Sequence, residues 1–171
     1  RARYTSKEFF EQEWVGMWTK VWLLLGGEAE ITNNGDWQME EVEPEEILMV
    51  RKKDGGVKAF YNVCQHRANP LVDGHKGHVL RRFVCKYHSC AFLPDGTLNF
   101  APDKEDFPEG NPCGKVRLQE LRCDTFAGFI FVNMDPDCKG LREFLGPIWE
   151  DWEKRDIHTW KRTMANTMWL P

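Results

Sequence analysis

The sequence has no long apolar run, no signal-peptide opening and no basic patch. The run Trp22-Leu23-Leu24-Leu25 is far too short to cross a bilayer. No basic segment followed by an apolar stretch and a cleavage site stands at the start. A soluble, cytoplasmic protein is therefore expected, with no membrane partner. Net charge is -4 and the isoelectric point is near 5.8. Without a Lys/Arg cluster and interleaved aromatics, a nucleic-acid surface is not expected. An acidic face can still favour or repel a charged protein partner. Six cysteines in 171 residues are not the disulfide-dense pattern of a small secreted domain. Repeats and low-complexity tracts are absent too. The first residue is Arg1, not Met, so the sequence is expected either to lack a few residues or to be a piece of a longer protein. Its length suffices for one full core, or one domain with a short extension.

The hydropathy pattern has three parts. Residues 5–25 read as a helix: Thr5 and Glu8 have capping-box spacing, and Phe10, Trp14, Met17/Trp18 and Val21 recur at helical intervals. That aromatic stripe is expected to pack on a core. From Asp36 the pattern turns to short β-rich segments: Trp37–Val42, Ile47–Lys52, Val57–Val63, Arg82–Cys85, Thr97–Phe100, Val116–Asp124 and Phe129–Met134. Asp54-Gly55-Gly56 and Asp95-Gly96 are hairpin signals. The acidic run Glu40–Glu46, broken by Pro44, reads as a solvated edge or turn, and 101–115 as a loop. Leu141–Lys154 returns to helical spacing, interrupted by Pro147. Many short strands with helices at both ends predict a mainly β, antiparallel sandwich or barrel.

The chemistry lies in two segments, Cys64-Gln65-His66-Arg67 and Cys85-Lys86-Tyr87-His88. Each follows an expected strand and offers one thiolate and one imidazole, so two loops can clamp one compact object. Zinc accepts two Cys and two His, but its motifs usually pair like ligands or place two His a turn apart on a helix. Cys-x-His in one loop and Cys-x-x-His in another is the arrangement of a Rieske-type [2Fe–2S] cluster, with two thiolates on one iron and two imidazoles on the other. Both metals remain open on the residues alone. The expected ligands are Cys64, His66, Cys85 and His88. Cys90, Cys113, Cys123 and Cys138 lack ligand spacing and are expected as small hydrophobes or surface thiols.

Several stretches resemble the Rieske non-haem iron, aromatic-ring-hydroxylating oxygenases, specifically the N-terminal part of the large (α) terminal oxygenase subunit. These are Asn62–Ala68, Cys85–His88, Asp95–Leu98 and Gly128–Pro136. The chain departs from that family at Ala68, where Gly is usual, at Lys86, which replaces a frequent Pro, and at Ser89-Cys90, where Gly or Ala and then Trp are usual.

The resemblance implies a Rieske fold: an antiparallel β sandwich carrying a small cluster-binding subdomain, with flanking helices. It divides the chain into an N-terminal helical segment (1–35), the Rieske domain (36–138), and a helix with the start of a missing catalytic domain (139–171). It implies an electron relay from a ferredoxin or flavin reductase to a mononuclear non-haem iron(II). It further implies an aromatic small-molecule substrate and a homotrimeric or α3β3 parent. Only His158 follows His88, so the mononuclear iron site is expected outside this chain and no catalytic residue is assigned within it. Asp73, His75 and His78 are expected in a solvated loop, not at an iron. A free-standing Rieske ferredoxin is the alternative function.

Overall fold

The structure, a computed structural model, describes residues 2–160. Its centre is β3 (Glu45–Arg51), which pairs antiparallel with β2 (Asp36–Val42) on one side and β4 (Val57–Tyr61) on the other. Ile47, Leu48, Met49 and Val50 are all fully buried. Alternate side chains point to opposite faces of a strand, so this unbroken apolar run means that both faces of β3 are covered. Ile47 and Met49 join one core cluster, Leu48 and Val50 another. Asp54-Gly55-Gly56 closes the β3–β4 hairpin as expected: the Lys52 N–H donates to the Gly56 carbonyl at 2.8 Å, and Gly55 takes the positive φ that the turn requires.

The sheet extends through β9 (Glu120–Phe126) and β10 (Phe129–Asn133) to β1 (Leu23–Gly27) at one edge, and through β2 to β5 (Lys76–His78) at the other. Its seven strands run in the order β1-β10-β9-β4-β3-β2-β5. Ile31, Ile47, Met49, Ala59, Leu121, Ile130 and Val132 form one cluster, so distant strands of the same curled sheet share a core. The opposite face of β2, β3 and β4 supplies Trp37, Met39, Leu48, Val50 and Phe60 to a second cluster. A small three-stranded sheet covers that face. It comprises β6 (Phe83–Val84), β7 (Ala91–Phe92) and β8 (Leu98–Phe100), which contribute Phe83, Phe92 and Leu98. The fold is mainly antiparallel β, as expected.

The N-terminal reading needs correction. Helix α1 spans only Lys7–Glu13, followed by one π-type turn over Trp14–Trp18, and neither has a buried residue. The aromatic stripe is therefore not a core face. The cap is Ser6, not Thr5: its hydroxyl accepts the Phe9 N–H at 3.2 Å and donates to Glu8 at 2.7 Å. Leu23–Leu25, expected inside the helix, belong to β1, where Leu23 and Leu24 pair with β10 and Leu25 falls at an irregularity in the register. At the C-terminal end the helical reading holds in two pieces. Gly146 takes a φ of 53° and Pro147 starts a new helix, separating α2 (Leu141–Leu145) from α3 (Pro147–Glu153). Trp149 stacks on Phe126 with ring centroids 3.6 Å apart, holding α3 against β9. The readings for 161–171 lie outside the described residues.

Candidate metal centre

The two expected ligand segments form two loops with the same backbone hydrogen bonds. In the first, the Ala68 N–H donates to the Cys64 carbonyl at 2.9 Å and the Cys64 N–H to the Asn69 carbonyl at 2.9 Å. In the second, the Ser89 N–H donates to Cys85 at 2.9 Å and the Cys85 N–H to Cys90 at 2.8 Å. Ala68 and Ser89 close the two turns with φ of 54° and 61°. Both are left-handed positions that favour glycine, which gives a physical reason for Gly being usual at the first.

The loops bring the four side chains into two neighbouring pairs, Cys64 with Cys85 and His66 with His88. Cys64 and Cys85 are only 1% and 2% exposed and lie in the core cluster between the two sheets. His66 is exposed and His88 half-buried, with ring centroids 4.6 Å apart at 62°. The thiols thus lie deep and the imidazoles shallow. Burial pushes the Cys64 thiol up to about 11, and the neighbouring Cys85 adds to the rise. Burial, with the nearby His66 and Arg67, lowers His88. A bound metal would displace the Cys64 proton.

Sequence reasoning gave no role to several residues around the loops. Asn62 is buried and makes four hydrogen bonds. Its Oδ1 accepts the N–H groups of Leu71 and Val72 at 3.0 and 3.1 Å. Its Nδ2 donates to the Val72 carbonyl at 3.0 Å and to Glu46 at 2.8 Å. It ties both ends of the first ligand loop together. Asn69 crosses to the second loop, its Nδ2 lying 3.9 Å from Cys85 Sγ. Tyr87 covers the His88 ring at 3.8 Å between centroids. Cys90 is buried beside the ligand thiols, and burial raises its thiol. Cys90 holds the position in the second loop that Asn69 holds in the first.

The remaining candidates go elsewhere. Asp73 pairs with Lys86, His78 Nδ1 with Asp36 at 2.9 Å, and the His75 carbonyl accepts the Met39 N–H at 2.8 Å. Residues 76–78 are the edge strand β5 rather than pure loop. Cys123 is half-buried on β9, where burial pushes its thiol to about 12, and Cys113 and Cys138 are half-buried. His158 is exposed, its backbone packed on Gly128, where an added Cβ would come within 2.8 Å of the His158 Cα.

The donor set fits a two-iron cluster. Two deep thiols and two shallow rings form two pairs, and a Rieske cluster takes two ligands on each iron.

A family model described as Rieske [2Fe-2S] domain matches residues 21–123. The carnitine monooxygenase oxygenase subunit of Escherichia coli (strain K12) is 34% identical over 83% of this chain and 37% of its own length. The large oxygenase component of the 2,4-dinitrotoluene dioxygenase system of Burkholderia sp. (strain RASC) is 32% identical over 85% of this chain and 32% of its own. Among solved structures, a quaternary ammonium Rieske monooxygenase superposes with a TM-score of 0.82 at 29% identity, over 90% of this chain and 41% of that one. The chain thus spans about a third of the length of these curated relatives. The chain belongs to the Rieske [2Fe–2S] domain family, and its relatives are large subunits of Rieske oxygenases.

Proposed function

We propose that this chain is the electron-relay domain of a Rieske oxygenase, with Cys64, His66, Cys85 and His88 as the cluster ligands. The observation that carries the reading is the pairing of two buried thiols beneath two imidazoles 4.6 Å apart. When bound, the cluster supplies a one-electron couple, whose potential neutral imidazoles raise relative to all-thiolate ligation. The chain's residues do the rest. Cys64 and Cys85 keep the sulfur side dry. The two turns closed at Ala68 and Ser89 fix the spacing of the ligand pairs. His66 and the partly covered His88 turn their ring edges towards solvent, where a donor or acceptor can approach.

In the parent protein, electrons would reach this edge from a ferredoxin or flavin reductase and leave for a mononuclear iron site in another domain or subunit. Inter-subunit electron transfer is described for one solved relative, the quaternary ammonium Rieske monooxygenase. A homotrimeric or α3β3 parent suits such a relay. The parent reaction is oxidation of a small organic substrate by dioxygen. Relatives named for carnitine and for aromatic substrates match at nearly equal identity. This domain therefore serves the relay, and the choice of substrate, aromatic in our reading, lies outside it. No membrane-length apolar helix occurs among the described residues, and a cytoplasmic relay is proposed.

The test is spectroscopic. The purified protein should be red-brown, contain equal iron and sulfide, and give a Rieske-type electron paramagnetic resonance signal when reduced. His88→Cys should keep a cluster and shift its signal towards the all-thiolate type. Zinc without iron or sulfide would overturn the assignment.

A further inference from the structure

Beside the ligand loops lies a cavity of about 130 Å³. Its floor is Phe92, Leu98, Ala101 and Pro112, all buried, and Cys90 forms the wall towards the ligand thiols. Its mouth is framed by His66 and Phe107. Of the four proposed ligands only His66 lines it, and the rest of its lining lies to one side of the cluster loops. Its walls are pinned. The Leu98 N–H donates to Val116, the Gly114 N–H to Leu98 and the Val116 N–H to Pro112, at 2.9, 2.8 and 3.1 Å.

We infer that this cavity is a binding site for a small, neutral, apolar molecule about the size of benzene. An enclosed apolar cavity of roughly 150 Å³ takes up benzene or xenon; this one has a similar volume and an apolar floor, and opens to solvent beside Gln65 and His66. The floor offers ring faces and aliphatic carbons but no charge to hold an ion. Among the described residues, the ionisable groups at its surface are the Cys90 thiol and the His66 ring, with the neutral amide of Gln65 beside them. Cys90 is small enough to leave the space open, whereas a large aromatic side chain there would fill it.

The position gives such a ligand a consequence, which rests on the relay assignment above. An apolar molecule at this mouth displaces water from one side of His66. Loss of polar surroundings disfavours the more negative, reduced state, so occupancy lowers the reduction potential. By linkage, the oxidised protein binds the molecule more tightly than the reduced one. A single-ring aromatic compound would thereby bias the relay without entering any catalytic pocket.

The experiment uses benzene with the iron-replete holoprotein. Saturable binding, a lower potential in redox titration at fixed pH, and affinity weakened about tenfold or more by Cys90→Trp are the expected results. Absence of saturable binding, or a Cys90→Trp variant that folds and binds benzene as well as wild type, overturns the site. Should Cys90→Trp fail to fold, wild-type crystals under xenon pressure decide: density in the cavity supports the site, and its absence overturns it. Binding with an unchanged potential overturns the redox coupling. Iron and sulfide analysis of the same sample reports separately on the cluster assignment.

Discussion

Replacing Asn62 tests whether the first ligand loop is held by one side chain. Asn62→Ala removes the acceptor for two backbone N–H groups, those of Leu71 and Val72, and the donor to the Val72 carbonyl and Glu46. Leu71 and Val72 are themselves buried, so water does not readily replace the lost partners. Each buried donor left unmet costs about 1–3 kcal/mol. The two N–H groups alone therefore put the loss at roughly 2–6 kcal/mol, a large share of the 5–15 kcal/mol typical of a domain. Because the clamp encloses residues 62–72, the loosened segment is the one that carries Cys64 and His66, and cluster content should fall with stability. Asn62→Asp keeps an acceptor for both N–H groups and should retain more stability at acid pH, where its second oxygen is protonated opposite Glu46. Urea unfolding followed by tryptophan fluorescence gives the stability, and iron per chain gives the loading. An Ala variant within about 1 kcal/mol of wild type and fully loaded with iron would refute the reasoning.

Three further outcomes are expected. Ala68→Gly and Ser89→Gly should each be neutral to stabilising by up to about 1 kcal/mol, because relief of left-handed strain of about 1–2 kcal/mol is partly offset by the freedom glycine gains in the unfolded chain; a clear drop in melting temperature would contradict this. Gly96→Ala should cost about 2–4 kcal/mol, since φ there is +87° and the new Cβ would lie 2.6 Å from the Phe60 ring; an unchanged thermal melt would count against it. Asp36 is held below the ordinary carboxylate range by the Asn33 N–H and by His78. A carboxyl lowered in the folded state stabilises above its unfolded value and loses that contribution as pH falls through the folded value. The stability gap between wild type and Asp36→Asn should therefore be largest near neutrality and close below about pH 4; urea midpoints showing a gap independent of pH would refute it.

The proposed ligand residues stand out in the sequence because each loop carries its thiol and imidazole within four positions. The hairpins at Gly55 and Gly96 could be read because their turn chemistry is local. The edge strand β1 could not. The run Trp22–Leu25 has no period that separates a strand from a buried helix turn, and it followed a helical stripe. The deciding residues were Gly26-Gly27, which are poor helix formers. The strands β5 and β7 have three and two residues, too few to show alternation. The role of Asn62 was hidden for another reason. Its partners at 71 and 72 come near only when the loop folds back, and no local spacing reports that.

The repeat of the two loops was also hidden, and it bears on how the proposed relay works. Aligned by Cys64 and Cys85, the loops match in backbone hydrogen bonds, in the left-handed residue at Ala68 and Ser89, and in the return carbonyl at Asn69 and Cys90. Only the histidines fall out of step, two positions after the first thiol and three after the second. A matching backbone therefore places the thiols alike and the imidazoles differently. Both thiols end in the core, whereas His66 stands exposed and His88 sits half-buried under Tyr87. The two imidazoles are then unequal routes to a partner. Water and a docking surface reach His66 directly, while they reach His88 past a tyrosine ring. His66 also borders the cavity lined by Cys90. In the proposed relay, the one-residue slip in the motif would set both the edge through which electrons are exchanged and the place where a small molecule could influence that exchange.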